Sequence, residues 1–353
     1  MNDTSPRAPS AEEALDYPFT DYPPERGAIE VADGIFWLST PLPFAGLRQV
    51  NLWLLRDGDG WTMVDCGYGY EAARATIDAV WHATLQDRPI TRLVVTHFHP
   101  DHAGNSGWIA ARWGIRPVMT QGEWFSANLA LRDRFEDAVA HRVAFFRAHG
   151  LDEARIEVFA KGAVLYAAGV GLPPAFTRVR DGDALAIGGD RWTVVTGEGH
   201  SPEHAALYCA ARKILISGDQ VLPTITTNIS VWPTEPDGDP LGLFLETGRR
   251  LAGLLDPATF VLPSHRKPFR NVHRRLAQLA HHHEERLDLI LRATDTETSA
   301  AALIDVMFQR TLDGHQMGFA MGEAIAHLNH LVTRGRMERM RDEAGTVRYR
   351  KRG

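Results

Sequence analysis

Cysteine is scarce in this sequence: Cys66 and Cys209 are the only two among 353 residues. A single disulfide is arithmetically available, but a disulfide framework is excluded, and both thiols are expected to be reduced. Long apolar runs are missing as well. No stretch approaches the roughly 20 apolar residues that a membrane-crossing helix requires, so none is expected. The opening MNDTSPRAPSAEEALDYP has no apolar centre and does not read as a secretory leader. The expected compartment is the cytoplasm. Surplus positive charge is absent too. The formal net charge is −6, which argues against a general binder of polyanions. The balance is uneven, because residues 331–353 hold eight Arg or Lys against three acids and leave −11 on the remainder. There is no internal repeat and no low-complexity tract.

What is present is ordinary for a globular chain: 44 % hydrophobic and 23 % charged residues. The length suits one large or two moderate domains. Residues 1–28, rich in Pro, Ser and acids, read as a loosely held arm. Residues 29–272 form the main body and 273–353 a helical linker with a small C-terminal domain. In the body, GIFWLSTPLPF and QVNLWLLRDGDGWTMVDCG read as strands, with a hairpin at the Asp-Gly-Asp-Gly of 57–60. Residues 71–85 place Ile77, Val80, Trp81 and Leu85 at helical spacing. Residues 122–172 read as a helical insertion. From about 297 the pattern is helix, helix, hairpin with a basic wing, which is a winged-helix pattern.

The densest chemistry lies in VVTHFHPDHAGN at 94–105. His97 and His99 are two apart and face the same way in an extended segment. Pro100 bends the chain, so that Asp101 and His102 turn toward a neighbouring point. Ala103 and Gly104 are small enough for a helix to begin close by. Four other apolar strands end on the same residue types: at Asp65, at His200 in TGEGH, at Asp219 in ISGD and at His265 in LPSH. Strands of one sheet emit their loops at the same edge, so these groups are expected to converge. Imidazole and carboxylate together suit zinc, manganese or iron.

These motifs resemble those of the metallo-β-lactamase-fold hydrolase superfamily, over roughly residues 33–270. The resemblance implies an α+β fold, a four-layer αβ/βα sandwich, here with the helical insertion and the C-terminal winged helix. It implies two divalent metal ions, zinc first. His97, His99 and His200 would hold one and Asp101, His102 and His265 the other, with Asp219 bridging and Asp65 orienting a ligand histidine. A bridging Asp219 resembles the glyoxalase II-like branch rather than the true β-lactamases. The implied chemistry is hydrolysis, a metal-bridging hydroxide aimed by Asp101 and Asp219 attacking a thioester, ester or lactone carbonyl. A small acyl thioester or ester is then the expected partner, and a homodimer is common among such relatives. The winged helix is similar to that of the β-lactamase-like endoribonucleases. Hence the alternatives are a phosphodiesterase or ribonuclease using the same metals, and a nucleic-acid-binding regulator that retains a metal fold.

Other conspicuous residues carry blander readings. His204 reads as a histidine packed near the site and not as a ligand. His281, His282 and His283 on one helix point apart and read as a solvated face, while His327 and His330 read as structural. Trp232, Trp124 and Phe125 are expected to wall a substrate pocket. The competing reading of the insertion is a packed accessory layer.

Overall fold

The computed structural model describes residues 15–44, 46–132, 135–162 and 166–352. The first sheet runs in chain order: β1 (Ala28–Ala32), β2 (Ile35–Pro41), β3 (Gln49–Asp57), β4 (Gly60–Val64), β5 (Ile90–Val94), β6 (Val118–Met119) and β7 (Thr177–Arg178). It is antiparallel as far as β4 and parallel beyond. The hairpin predicted at 57–60 joins β3 to β4, with Asp57 paired to Gly60 and Gly58 at φ +62°. The second sheet contains β8 (Ala184–Ile187), β9 (Asp190–Gly197), β10 (His204–Cys209), β11 (Ile214–Gly218) and β12 (Phe260–Pro263). Its β11–β12 pair is parallel and the rest antiparallel.

Side-chain alternation decides how these sheets stack. On β3, Trp53 and Leu55 join a core shared with Leu207, Ile214 and Ile216 of the second sheet. Val50, Leu52 and Leu54 point the other way, toward Ile77 and Val80 of α1 (Glu71–Ala83) and Ile109 of α3 (Ser106–Trp113). Between these helices lies the short α2 (Pro100–Ala103). On the far side, Ala206, Tyr208 and Leu215 face the remaining helices. The layers run helix, sheet, sheet, helix, because a strand with apolar residues at both phases must be covered on both faces.

The segment 122–172 divides between two layers. Its first helix, α4 (Gln121–Arg132), sends Trp124 into the core over the first sheet. α5 (Phe135–Ala148) and α6 (Glu153–Gly162) send Phe146, Ile156 and Phe159 into the core over the second. That core also holds α7 (Pro240–Leu254), α8 (Val272–Ala293), α9 (Ala300–Met307) and α10 (Gly314–Thr333). α6 and α10 approach closely at Gly162 and Gly314, where an added Cβ on either would meet the other's Cα at 2.6–2.7 Å. A small sheet of β13 (Glu297–Thr298), β14 (Met337–Arg341) and β15 (Val347–Lys351) closes the chain.

Several expectations change. The described part of the expected arm is held down: Leu15 is buried, and Phe19 stacks on Phe260. Residues 1–14 lie outside the described residues. The histidine run is not one solvated face. His281 is exposed and meets Glu285, but His283 is buried with its Nδ1 3.2 Å from His327 Nε2. Its position on the inner face of α8 decides this. His330 is structural, its Nδ1 3.0 Å from the Asp239 carboxylate. Both cysteines are free and buried. No described helix is long and apolar enough to cross a membrane.

Candidate metal centre

β4 and β5 run parallel in the first sheet, while β9, β11 and β12 share one direction in the second. The predicted residues follow the C-terminal ends of these five strands. Convergence therefore takes the facing edges of two sheets, not one sheet as the sequence suggested. Pro100 opens α2 at its first position, where the missing N–H is harmless. The turn after it is tight. A side chain at Gly104 would meet the carbonyl oxygens of Pro100, Gly169 and Gly67 at 2.4–2.5 Å.

Ligand atoms form three groups, each within 4.8 Å: His97, His99 and His200; His97, His102 and Asp219; Asp101, His102 and His265. In the first, His97 Nε2 lies 3.0 Å from His99 Nδ1 and 3.2 Å from His200 Nε2. Three ring nitrogens aimed at one point cannot all satisfy one another. Asp219 Oδ2 reaches across the groups: it lies 3.6 Å from His102 Nε2, 3.6 Å from His200 Nε2 and 3.4 Å from His265 Nε2. Asp101 Oδ2 is 3.3 Å from His265 Nε2 and 3.5 Å from His102 Nε2.

Each of four rings is held from behind. His200 Nδ1 faces the Asn228 carbonyl at 2.7 Å, and His265 Nδ1 the Gln49 carbonyl at 3.1 Å. His102 Nδ1 meets Asp65 Oδ2 at 2.8 Å, and His97 Nδ1 meets Thr96 Oγ1 at 3.0 Å. A proton on the back nitrogen leaves a lone pair on the front one, which is the tautomer a metal needs. His102 Nε2, His265 Nε2 and Asp219 Oδ1 are buried without a hydrogen-bond partner. Buried polar atoms are seldom left so, and the orphans fit a bound cation.

The electrostatics divide the cluster. Burial, and then neighbouring histidines, drive His97 well below the usual imidazole range; burial takes His99 down to about 3. Burial opposes charge on His265 as well, but Asp219 and Asp101 outweigh it and lift it to about 10. Asp219 is pulled well below the carboxylate range against burial, first by the charge of His265 and then by that of His102. One half is thus a neutral triple-imidazole corner, and the other a carboxylate-rich one with cation-demanding acids.

Asp65 touches the cluster only through His102 Nδ1. It sits at φ +59°, buried, and accepts from Thr96 N–H at 2.7 Å and Thr96 Oγ1–H at 2.9 Å. Asp65→Ala is expected to weaken metal binding about 10- to 100-fold, the usual loss when the partner behind a ligand is removed. Competition with a chelator measures this, and unchanged affinity would contradict the orienting role.

The aromatic expectations separate. Trp124 is buried and stacks on Phe176 at 4.6 Å, so it is core and forms no open wall. Phe125 is 57 % exposed. Trp232 is partly buried, edge-on to Phe319 at 6.1 Å. It ends a row the sequence did not reveal: Tyr68 meets Phe44, Phe44 stacks on His315 at 5.2 Å, and His315 meets Phe319 at 4.8 Å. The charge of Asp101 reaches both Tyr68 and His315, so this row borders the carboxylate-rich half. His204 stays behind the cluster, its Nε2 accepting from Asp219 N–H at 3.1 Å.

Glu123 was also invisible as a site residue. Its buried carboxylate accepts from Phe98 N–H at 2.8 Å, Ser201 Oγ–H at 2.7 Å and Glu203 N–H at 2.7 Å. It ties the His97–His102 loop to the His200 loop. An acid on a helical face facing an apolar sheet is the one signal that could have pointed to it.

Two mixed sheets stacked face to face, with buried histidines and aspartates at their shared edge, define an αβ/βα metal-site protein. Residues 45–265 match the metallo-beta-lactamase superfamily, and residues 287–352 match the metallo-beta-lactamase-like, C-terminal domain. The chain belongs to the metallo-beta-lactamase superfamily. A beta-lactamase domain protein from Burkholderia ambifaria is similar at 44 % identity and TM-score 0.90, with 97 % of this chain and 99 % of that one covered. A probable metallo-hydrolase of Bacillus subtilis, YqjP, is 24 % identical over 308 residues, which is 85 % of this chain and 92 % of that protein. The human acyl-coenzyme A thioesterase MBLAC2 is 27 % identical over 202 residues, 54 % of this chain and 64 % of that protein.

Proposed function

We propose that the chain is a binuclear metal-dependent hydrolase of acyl thioesters. The observation that carries the binuclear reading is the place of Asp219 Oδ2, nearly equidistant at 3.4–3.6 Å from histidines of both halves. In this reading His97, His99 and His200 would hold one ion, Asp101, His102 and His265 the second, and Asp219 would contribute to both. Three imidazoles on one side and a mixed nitrogen and oxygen set on the other favour zinc. Ions bound there would supply Lewis acidity and an activated water near neutral pH. Asp101 and Asp219 would offer acceptors that orient a water toward the acyl carbon. Thioester hydrolysis forms the C–O bond and breaks the C–S bond, with one water proton going to the departing thiolate. The row from Tyr68 to Trp232 borders the approach.

The thioester class rests on similarity to a relative that is itself an acyl-coenzyme A thioesterase. The nucleic-acid reading draws less support from the basic wing, because four of its arginines are engaged within the chain, while Arg336, Lys351 and Arg352 line a shared surface pocket. Arg339 meets Asp237 at 2.5 Å, Arg348 meets Asp342 at 2.9 Å, Arg334 meets Glu284 at 2.8 Å, and Arg350 pairs with Glu338. Thiol release from a panel of acyl thioesters by zinc-loaded protein tests the proposal. Release that chelation abolishes and zinc restores is expected. Silence of a fully loaded protein toward every thioester refutes the substrate class.

A further inference from the structure

A cavity of about 610 Å³ lies outside the ligand cluster, between α8, α10, the 224–228 segment and the 308–312 loop. It adjoins the metal site. Asn228 lines it, and the Asn228 carbonyl holds His200 Nδ1 at 2.7 Å. Phe319 lines it too and belongs to the aromatic row that borders Asp101.

The lining alternates in character. Ile225, Phe308, Leu312 and Phe319 are apolar, while Gln278, His282 and Glu323 are polar. Gln278 Oε1 is buried and has no hydrogen-bond partner among the described residues. Glu323 has no hydrogen bond to its carboxyl among them either, and burial pushes it up to about 7 against the charge of Arg286. Two acceptors therefore face the cavity without donors. An alkyl chain would leave both unpaired, at about 1–3 kcal/mol for each buried group. A compact anion would meet Arg310, which also lines the cavity, but Arg275 spends its guanidinium on the carbonyls of Leu222 at 2.5 Å and Ile225 at 2.9 Å, and Glu323 repels negative charge. An extended chain of secondary amides separated by short methylene segments matches the lining: its N–H groups reach Gln278 and Glu323, and its methylenes pack on Phe308 and Phe319.

We propose that this cavity binds the amide-bearing thiol arm of the substrate, the leaving-group half, of the kind found in the pantetheine portion of a coenzyme A thioester. The proposal rests on the thioester reading above. It assigns leaving-group recognition to α8 and α10, away from the metal loops.

The test compares thioesters sharing one acyl group and differing in thiol: pantetheine and ethanethiol. Ala320, on the cavity wall, is replaced by Trp to fill the space, and Gln278→Leu serves as a gentler variant should Ala320→Trp fold poorly. Wild-type kcat/KM is expected to favour pantetheine by about 100-fold, and each variant to cut that preference about tenfold while leaving the ethanethiol ester nearly unchanged. Calorimetry with S-methylpantetheine, which has no thiol to reach a metal, reads the cavity without turnover. It should bind wild type and lose affinity in both variants. Turnover with no preference for pantetheine overturns the cavity assignment and leaves the thioester reading standing. Binding that the variants lose, with no turnover of any thioester, keeps the cavity and overturns the thioester reading. Absence of both overturns both.

Discussion

Asp219→Ala is expected to lower kcat/KM on any turned-over substrate by more than about 100-fold, beyond what loss of an orienting partner causes. Among the described residues, this carboxylate alone forms contacts within 3.6 Å with His102, His200 and His265 Nε2 together. Removing it takes an anionic oxygen from both halves of the cluster and leaves the His265 charge without its strongest partner. The loop itself should survive. Asp219 N–H donates to His204 Nε2 at 3.1 Å, and its carbonyl accepts from Thr227 Oγ1–H at 2.6 Å. Neither bond uses the side chain, so loss of activity with a single cooperative melting transition of the chelated protein, at a lowered midpoint because the His265 charge is stranded, is the expected pattern. Metal content read alongside the rate should fall by at least part of one equivalent. Wild-type turnover by a variant of verified metal content would refute the bridging role.

Glu123→Ala should do more damage to the fold than any exposed substitution. The Phe98 and Glu203 amides and the Ser201 hydroxyl lose their acceptor in a buried place. At about 1–3 kcal/mol per stranded group the sum is roughly 3–9 kcal/mol, a large share of the 5–15 kcal/mol typical of a whole domain. Chemical denaturation measures it, and a loss below about 1 kcal/mol contradicts the tie between the two loops. A pH dependence follows as well. Burial, aided by the nearby Glu203 charge, raises Glu123 from 4.5 to about 7 in spite of three hydrogen bonds. The folded protein thus binds this proton more tightly than the unfolded chain. That contribution is complete below about 4.5 and disappears as pH rises through about 7. Glu123→Gln, which carries no ionisable proton, should lose less stability than wild type across this interval at matched metal load.

The site was legible to the extent that it is local. His97, His99, Asp101 and His102 lie in six residues, and Asp65, His200, Asp219 and His265 each follow an apolar strand end. Strand-then-ligand grammar survives in one dimension, because the side chains that build a strand core and the group emitted at its end are neighbours in sequence. The segment QVNLWLLRD was legible as a strand, but its burial on both faces appears only in the structure.

What stayed hidden depends on contacts between distant elements. Glu123 reads as one more acid on a helix until Phe98, Ser201 and Glu203 are brought to it. Trp124 and Phe125 are adjacent letters, yet one is core and the other is exposed, because one residue of a helix turns a side chain through about 100°. His283 differs from His281 for the same reason. His315 gains its place beside the acids only because α10 docks on α6 at Gly314 and Gly162. The sequence by itself determined the donor set and its placement at the ends of apolar strands. Only the tertiary structure decided that two sheets share the edge, which ring nitrogen faces inward, and which helices border the approach, since those follow from packing between separate elements and not from local sequence pattern.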